Sequence, residues 1–374
     1  MEPGALSHLR VVDFSRVLAG PLAAMVLGDL GAEVVKVERP GAGDETRGWG
    51  PPFDGRGRAS YFEAVNRNKR SVALDLRDPA DLERARALAA EADVLVENFR
   101  PGVMDRLGLG CEELRERNPR LIYASITGFG RGAGAALPGY DLLVQALGGL
   151  MSITGEPDGE PQKVGVALVD VIAGLFAAVG ILAAVEHRHR SGRGQRVEID
   201  LLSSLLAALA NQATAHTVAG EVPRRMGNAH PSIAPYEPLP TARGELVLAV
   251  GNDRQFARLC EALGAPDLAA DERFATNAAR VTNRAALRER LTELLAARPA
   301  AEWAALLADT GVPAGEVNDI RGAFAFAEAL GLDPIVVMRD EEGREVRLPR
   351  NPIGLSETPP TYRLAPPAMP ERER

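Results

Sequence analysis

The chain has 374 residues, 46% hydrophobic and 25% charged, a composition that supports a buried core and excludes a disordered or fibrous protein. Its net charge of −8 argues against a partner with a broad phosphate backbone, so no nucleic acid is expected, although a local basic pocket is compatible with it. Two cysteines, Cys111 and Cys260, form no CxxC or Cys/His cluster, which argues against a disulfide framework or structural zinc and suits a reducing cytoplasm.

The first two hundred residues alternate strand and helix signals. Residues 9–14 (LRVVDF) read as a short strand, and Gly20-Pro21 opens a helix that runs to about Leu30, with Gly31 as a C-cap. Further strands are expected at 32–37 (AEVVKV), 71–76 (SVALDL), 93–97 (DVLVE) and 121–126 (LIYASI), with a charged helix at 79–91. Strands separated by helices of this length predict a parallel sheet, so the fold class is α/β with a Rossmann-like large domain. A long apolar run follows, then an expected loop at 187–195 (HRHRSGRGQ), a strand at 196–199 and an apolar helix from Leu201.

The composition turns Pro-rich at 222–241. The expected organisation is a large domain over 1–200, a linker region over 201–240, a small α+β domain over 241–330, and a C-terminal segment over 331–374 that returns to the large domain. Within the small domain, a strand is expected at 246–250 and helices at 253–263, 284–297 and 300–310. The N-terminus carries no secretory pattern, and the longest apolar run would span only about 22 Å as a helix, against roughly 30 Å of hydrocarbon core. No membrane association is expected.

Within that apolar run stands one acidic residue, Asp170, followed by Val171 to Val185 without a charge. An Asp there is either a helix cap, accepting bonds from free N–H groups, or a reactive carboxylate held ionised by the helix dipole. A nicotinamide dinucleotide is disfavoured, because the stretch after the first strand, Ser15-Arg16-Val17-Leu18-Ala19-Gly20-Pro21, lacks G-x-G-x-x-G and Pro21 removes a donor. Arg39, Arg100 and Arg106 follow strand ends, where a parallel sheet binds ligands, and on an acidic chain they suggest a polyanionic small molecule. Trp49 and Phe53 are expected to pack rather than to stack on a base.

The segments 20–53, 60–76 (SYFEAVNRNKRSVALDL), 92–110 (ADVLVENFRPGVMDRLGLG), 121–159, 164–186 and 227–241 (GNAHPSIAPYEPLPT) together resemble the class III coenzyme A transferases, in order and with matching spacing. The resemblance implies that Asp170 matches the family's catalytic aspartate and that CoA lies across Val17, Leu18, Ala19, Arg39, Asn68, Lys69, Asn98, Phe99, Arg106 and Leu107. Tyr140, Asp141 and His230 are the corresponding substrate-pocket candidates. It further implies an interlocked homodimer, no permanently bound cofactor and no metal, with acyl-CoA and a small carboxylic acid as the reacting partners.

The reaction so implied moves CoA from an acyl-CoA donor, with succinyl-CoA as the candidate, to a carboxylic acid acceptor such as a dicarboxylate. Two other readings stand beside it: an α-methylacyl-CoA racemase and a catalytically silent CoA-binding protein. The racemase carries a His where this chain has Tyr140, and a phenol titrating near 10 is a poor proton shuttle at neutral pH. The chain also lacks the oligoglycine loop of the formyl-CoA enzyme, so formate and oxalate are not expected acceptors.

Overall fold

The computed structural model describes residues 4–371. Six parallel strands, β1 (Arg10–Asp13), β2 (Glu33–Glu38), β3 (Lys69–Ala73), β4 (Val94–Glu97), β5 (Ile122–Thr127) and β6 (Arg196–Asp200), form one sheet in the order β3-β2-β1-β4-β5-β6. This is the doubly wound order, with the reversal between β1 and β4, where ligand crevices form at strand C-terminal ends. Apolar residues alternate to both faces: Val11, Val34, Val94 and Ile122 face one core with the Ala19–Asp29 and Leu168–Ser191 helices, while Val12, Val37, Leu95 and Tyr123 face another. Both faces are therefore dry, as a parallel sheet requires.

The chain divides into two compact units. Among the described residues, the first comprises 4–150, 163–221 and 333–371; the second comprises 151–162 and 222–332. The stretch 201–240, expected as a linker, is instead divided: helices Leu201–Ala208 and Ala210–Ala219 belong to the first unit, and strand β7 (Tyr236–Pro240) to the second. A Pro-rich composition misleads here because Pro238 and Pro240 sit in a strand of the small sheet's edge, where a missing N–H is tolerated.

In the second unit β7, β8 (Glu245–Ala249) and β9 (Ala314–Glu316) make an antiparallel sheet. Helices Asp253–Ala262, Arg284–Leu295 and Ala300–Ala308 cover it around Phe256, Leu291 and Trp303. The fully buried Arg280 donates to the carbonyls of Ala234 and Phe274 and pairs with Asp253.

The C-terminal segment forms a hairpin, β10 (Ile335–Arg339) with β11 (Glu345–Pro349), and then runs along the first unit. Asn68 anchors it: its backbone N–H donates to Leu364 O, its amide donates to Thr361 O and to Asp29, and its side-chain oxygen accepts from the N–H of Arg363 and Leu364. Asn tolerates the positive φ of 60° found there.

The expected loop at 187–195 is mostly helix. Leu168–Ser191 is one element of 24 residues, about 36 Å long, ended by Gly192 at φ 74°. It is long and apolar enough to cross a bilayer by length and composition, a property missed because only the uncharged part was counted. In the structure one side of it packs against the Ala19–Asp29 helix and the sheet. Gly174 allows that approach, since a Cβ there would lie 2.5 Å from Ala19 O.

Candidate active site

The β1 turn and the start of the Leu168–Ser191 helix converge at the C-terminal edge of the sheet. Asp170 is the third residue of that helix and not its cap; the capping position is Ala167, whose methyl group cannot accept a hydrogen bond. The free N–H groups of Val169 and Asp170 instead donate to Asp141 Oδ1, at 2.8 and 3.2 Å. Gln145 fixes this acceptor, since its amide donates to Asp141 Oδ2 while its own oxygen accepts from Val164 N–H. Asp170 is thereby released from capping and its carboxyl lines a cavity.

That cavity, of about 170 Å³, is lined by Val17, Leu18, Ala19, Asn98, Tyr140 and Asp170. Burial, and after it the neighbouring Asp141 carboxylate, push the Asp170 carboxyl up to about 7. The carboxylate expected to be held ionised by the helix dipole is thus one poised between forms at neutral pH. Groups tuned in this way concentrate at reactive sites.

A second cavity, of about 470 Å³, shares Arg16, Glu45 and Phe99 with the first and continues between the ends of β2 and β4. Arg39, Arg77, Phe99, Arg106 and Leu107 line it, together with apolar Val37, Leu74 and Val103. Arg77 pairs with Asp75, whereas the exposed guanidiniums of Arg39 and Arg106 form no ion pair among the described residues. Two free guanidiniums at the rim of an apolar slot suit a ligand that is part phosphate and part heterocycle.

Most of the residues named from the sequence meet along these two cavities, and four do not: Asp141 lines neither, its carboxylate being spent on the Val169 and Asp170 N–H groups, and Asn68, Lys69 and His230 lie elsewhere. Lys69 is fully buried and donates to Asp13, Asn66 and the Pro21 carbonyl, and Asn68 is consumed by the C-terminal segment. Neither lines the two cavities, because their polar atoms are spent inside the fold. His230 belongs to the second unit, where its Nδ1 accepts from Ser232 N–H and its ring tilts against Tyr236. Asn98 does line the cavity, yet its amide is occupied by a reciprocal pair of hydrogen bonds with the Arg16 backbone, at 2.9 and 2.7 Å.

Sequence reasoning missed Tyr61. Burial first, then the Asp170, Asp141 and Asp44 carboxylates, raise its phenol above the ordinary range, so it stays a donor near Asp170. Trp49 packs edge-on against it at 5.3 Å, is 40% exposed and lines neither cavity. Phe53 is exposed as well.

The family model for CoA-transferase family III matches residues 6–373. The succinate–glutarate CoA-transferase of Agrobacterium fabrum is 45% identical over 374 residues, covering 98% of this chain and 94% of its own. The acetyl-CoA:oxalate CoA-transferase of Acetobacter aceti is 40% identical and covers 94% of this chain and 90% of its own. A crystal structure of a CaiB/BaiF family protein from Brucella suis superposes with a TM-score of 0.87 at 45% identity, covering 99% of this chain and 97% of that one. The chain belongs to CoA-transferase family III, and it is a CoA-transferase acting on acyl-CoA thioesters.

Proposed function

We propose that this enzyme moves CoA from succinyl-CoA to a dicarboxylic acid through Asp170. The observation that carries the reading is the position of the Asp170 carboxyl in a cavity that shares Arg16, Glu45 and Phe99 with the arginine-lined slot. CoA would place its phosphates on Arg39 and Arg106 and run its pantetheine arm past Phe99 and the 17–19 loop, bringing the thioester to Asp170. No bound metal or resident cofactor enters the reaction.

The ionised Asp170 attacks the thioester carbonyl, which expels CoA thiolate and leaves a mixed aspartyl–acyl anhydride. The thiolate attacks the aspartyl carbonyl, releasing the donor acid as its carboxylate and leaving an aspartyl-CoA thioester. The acceptor carboxylate attacks this thioester, and the thiolate released then attacks the acceptor's acyl carbon, which regenerates Asp170. The thioester energy is retained in covalent form throughout. A carboxyl titrating near 7 is about half ionised at neutral pH, so the attacking anion is available, and Asp170 leaves as a carboxylate from the mixed anhydride when thiolate attacks the acyl carbon.

An interlocked homodimer is part of the same reading. Leu175, Phe176 and Val179 project from the Leu168–Ser191 helix 48%, 43% and 63% exposed, an apolar stripe that a second chain would cover. Succinyl-CoA mixed with glutarate should yield glutaryl-CoA and succinate by mass spectrometry. Because a relative at 40% identity is named for oxalate, oxalate belongs in the acceptor panel. Failure of every carboxylate to accept CoA would overturn the reading.

A further inference from the structure

The turn that joins β1 to its helix contains a backbone conformation that its sequence does not favour. Val17 has φ 70°, in the left-handed region, where a β-branched residue is strained and a glycine is not. Such conformations persist only where the surroundings over-determine them. Here the surroundings are ionic and dry. Val17 N–H donates to both oxygens of Asp44, at 3.3 and 3.2 Å. Asp44 is held in turn by Lys36, 3.0 Å away with both side chains fully buried, and by the backbone and hydroxyl of Thr46 at 3.0 and 2.8 Å.

Lys36 also reaches the turn directly, donating to Ser15 O at 2.8 Å. One buried ammonium therefore ties together the residue two before Val17 and the acceptor that fixes Val17 itself. The turn cannot relax sideways either, because a Cβ at Gly20 would lie 2.2 Å from Ser15 Oγ, so the chain on the far side of the turn is already in contact with its start. None of this machinery touches the Asp170 carboxyl, yet Val17, Leu18 and Ala19 line the cavity with it.

We propose that Asp44, paired with Lys36, is a positioning residue for acyl-CoA: it holds Val17 in the left-handed conformation that shapes the 17–19 loop for the pantetheine arm. The inference rests on the reading that this loop carries CoA. A charged acceptor is used because a bond to a charged group is the stronger kind, and burial keeps it from water. A glycine at position 17 would adopt the same backbone without strain, so dependence on Asp44 is the signature that separates a clamp from mere packing.

The test is a double-mutant cycle on the full chain, with the dissociation constant for coenzyme A measured by titration calorimetry. Asp44→Asn should weaken CoA by at least about tenfold, in line with loss of a charge-assisted bond, while kcat at saturating succinyl-CoA stays within about threefold. Adding Val17→Gly should return the constant to within about threefold of wild type, while the melting temperature, lowered by loss of the Lys36–Asp44 ion pair, stays low. Should Asp44→Asn not fold, Asp44→Glu keeps a negative charge beside Lys36 but displaces it from Val17 N–H, and is read in the same cycle with the same expectations for the CoA dissociation constant and its rescue by Val17→Gly. An unchanged constant in the Asp44 variant, or no rescue by glycine, overturns the clamp. Wild type that binds no CoA overturns instead the assignment of the cavity, and the clamp with it.

Discussion

Asp141 and Asp170 are joined through the backbone: the Asp141 carboxylate accepts the Asp170 N–H at 3.2 Å while its charge discourages ionisation of the Asp170 side chain. One residue thus supplies the missing helix cap and tunes the group exposed by that helix. The arrangement explains how a carboxyl in the first turn of a helix, where the dipole favours the anion, is nonetheless pushed up to about 7. Removal from water acts first, and a second carboxylate acts next.

The pH dependence of turnover follows. The attacking form of Asp170 is the anion, so kcat/KM for succinyl-CoA should rise as pH increases through about 7 and then level. Asp141→Asn retains an oxygen to accept from Val169 and Asp170 but removes the negative charge, so the rising limb should move to lower pH. Burial, the larger cause, remains, and the limb should not fall to that of a free carboxyl. A limb unmoved in Asp141→Asn would show that the two carboxylates are not coupled.

Stability should respond in the opposite sense to activity at the same residue. A carboxyl whose folded pKa is raised above its unfolded value stabilises the fold while protonated, a contribution fully present below the unfolded pKa and lost as pH rises through about 7. Asp170→Asn removes the charge that the folded state resists, so above pH 7 its melting temperature should exceed that of wild type, with the gap closing toward acid. The same variant should lose transfer by at least about a thousandfold, since the covalent route is gone. Thermal denaturation across pH, run beside the transfer assay, checks both halves.

Arg39→Ala and Arg106→Ala should each weaken CoA by about 1.5–3 kcal/mol, the range for a hydrogen bond to a charged group, or roughly ten- to a hundredfold. The cost should appear in the donor KM and vanish from kcat at saturation. Both side chains are exposed and form no ion pair among the described residues, so neither loss should lower the melting temperature. Donor KM values equal to wild type in both variants would place the phosphates elsewhere.

Asn68→Ala is expected to do the reverse. It deletes the amide that donates to Asp29 and Thr361 O and the oxygen that accepts from Arg363 and Leu364, and it puts alanine at φ 60°. Stability should fall by about 1–3 kcal/mol or more from the unsatisfied buried groups, with CoA affinity unchanged in the folded fraction. Chemical denaturation and calorimetry together separate this from a binding role.

The contrast between Arg39 and Asn68 shows what a single sequence discloses. Strand and helix periodicity is local, so all six sheet strands and the long apolar helix are legible, and the sheet's edge then gathers Arg39, Phe99, Arg106 and Asp170 by topology alone. β3 is displaced from the expected 71–76 to Lys69–Ala73 because Lys69, which composition reads as turn, is neutralised inside the fold by Asp13. The cap of Asp170 lies 29 residues upstream, the holder of Val17 lies 27 downstream, and Tyr61 approaches Asp170 from a four-residue helix. No spacing rule reaches across such separations. Residues 187–191 read as loop because they are polar, yet polarity there marks only the wet face of a helix that runs on to its glycine.

The covalent route is open to direct capture. If Asp170 carries CoA as a thioester between half-reactions, incubating the enzyme with succinyl-CoA alone should load it, because no acceptor is present to discharge it. Hydroxylamine should then convert that one side chain to a hydroxamate and borohydride should reduce it to the alcohol, since both reagents attack an activated carboxyl and spare a free carboxylate. Asp141, whose oxygens are engaged by two backbone N–H groups and by Gln145, is an internal control that should stay unmodified. Peptide mapping should find the mass change only in the peptide containing Asp170, only after donor is added, and diminished when acceptor is supplied in excess. A peptide unmodified while transfer proceeds would mean that Asp170 acts as a base or as a positioning group, and that CoA passes between the two acids without residing on the protein.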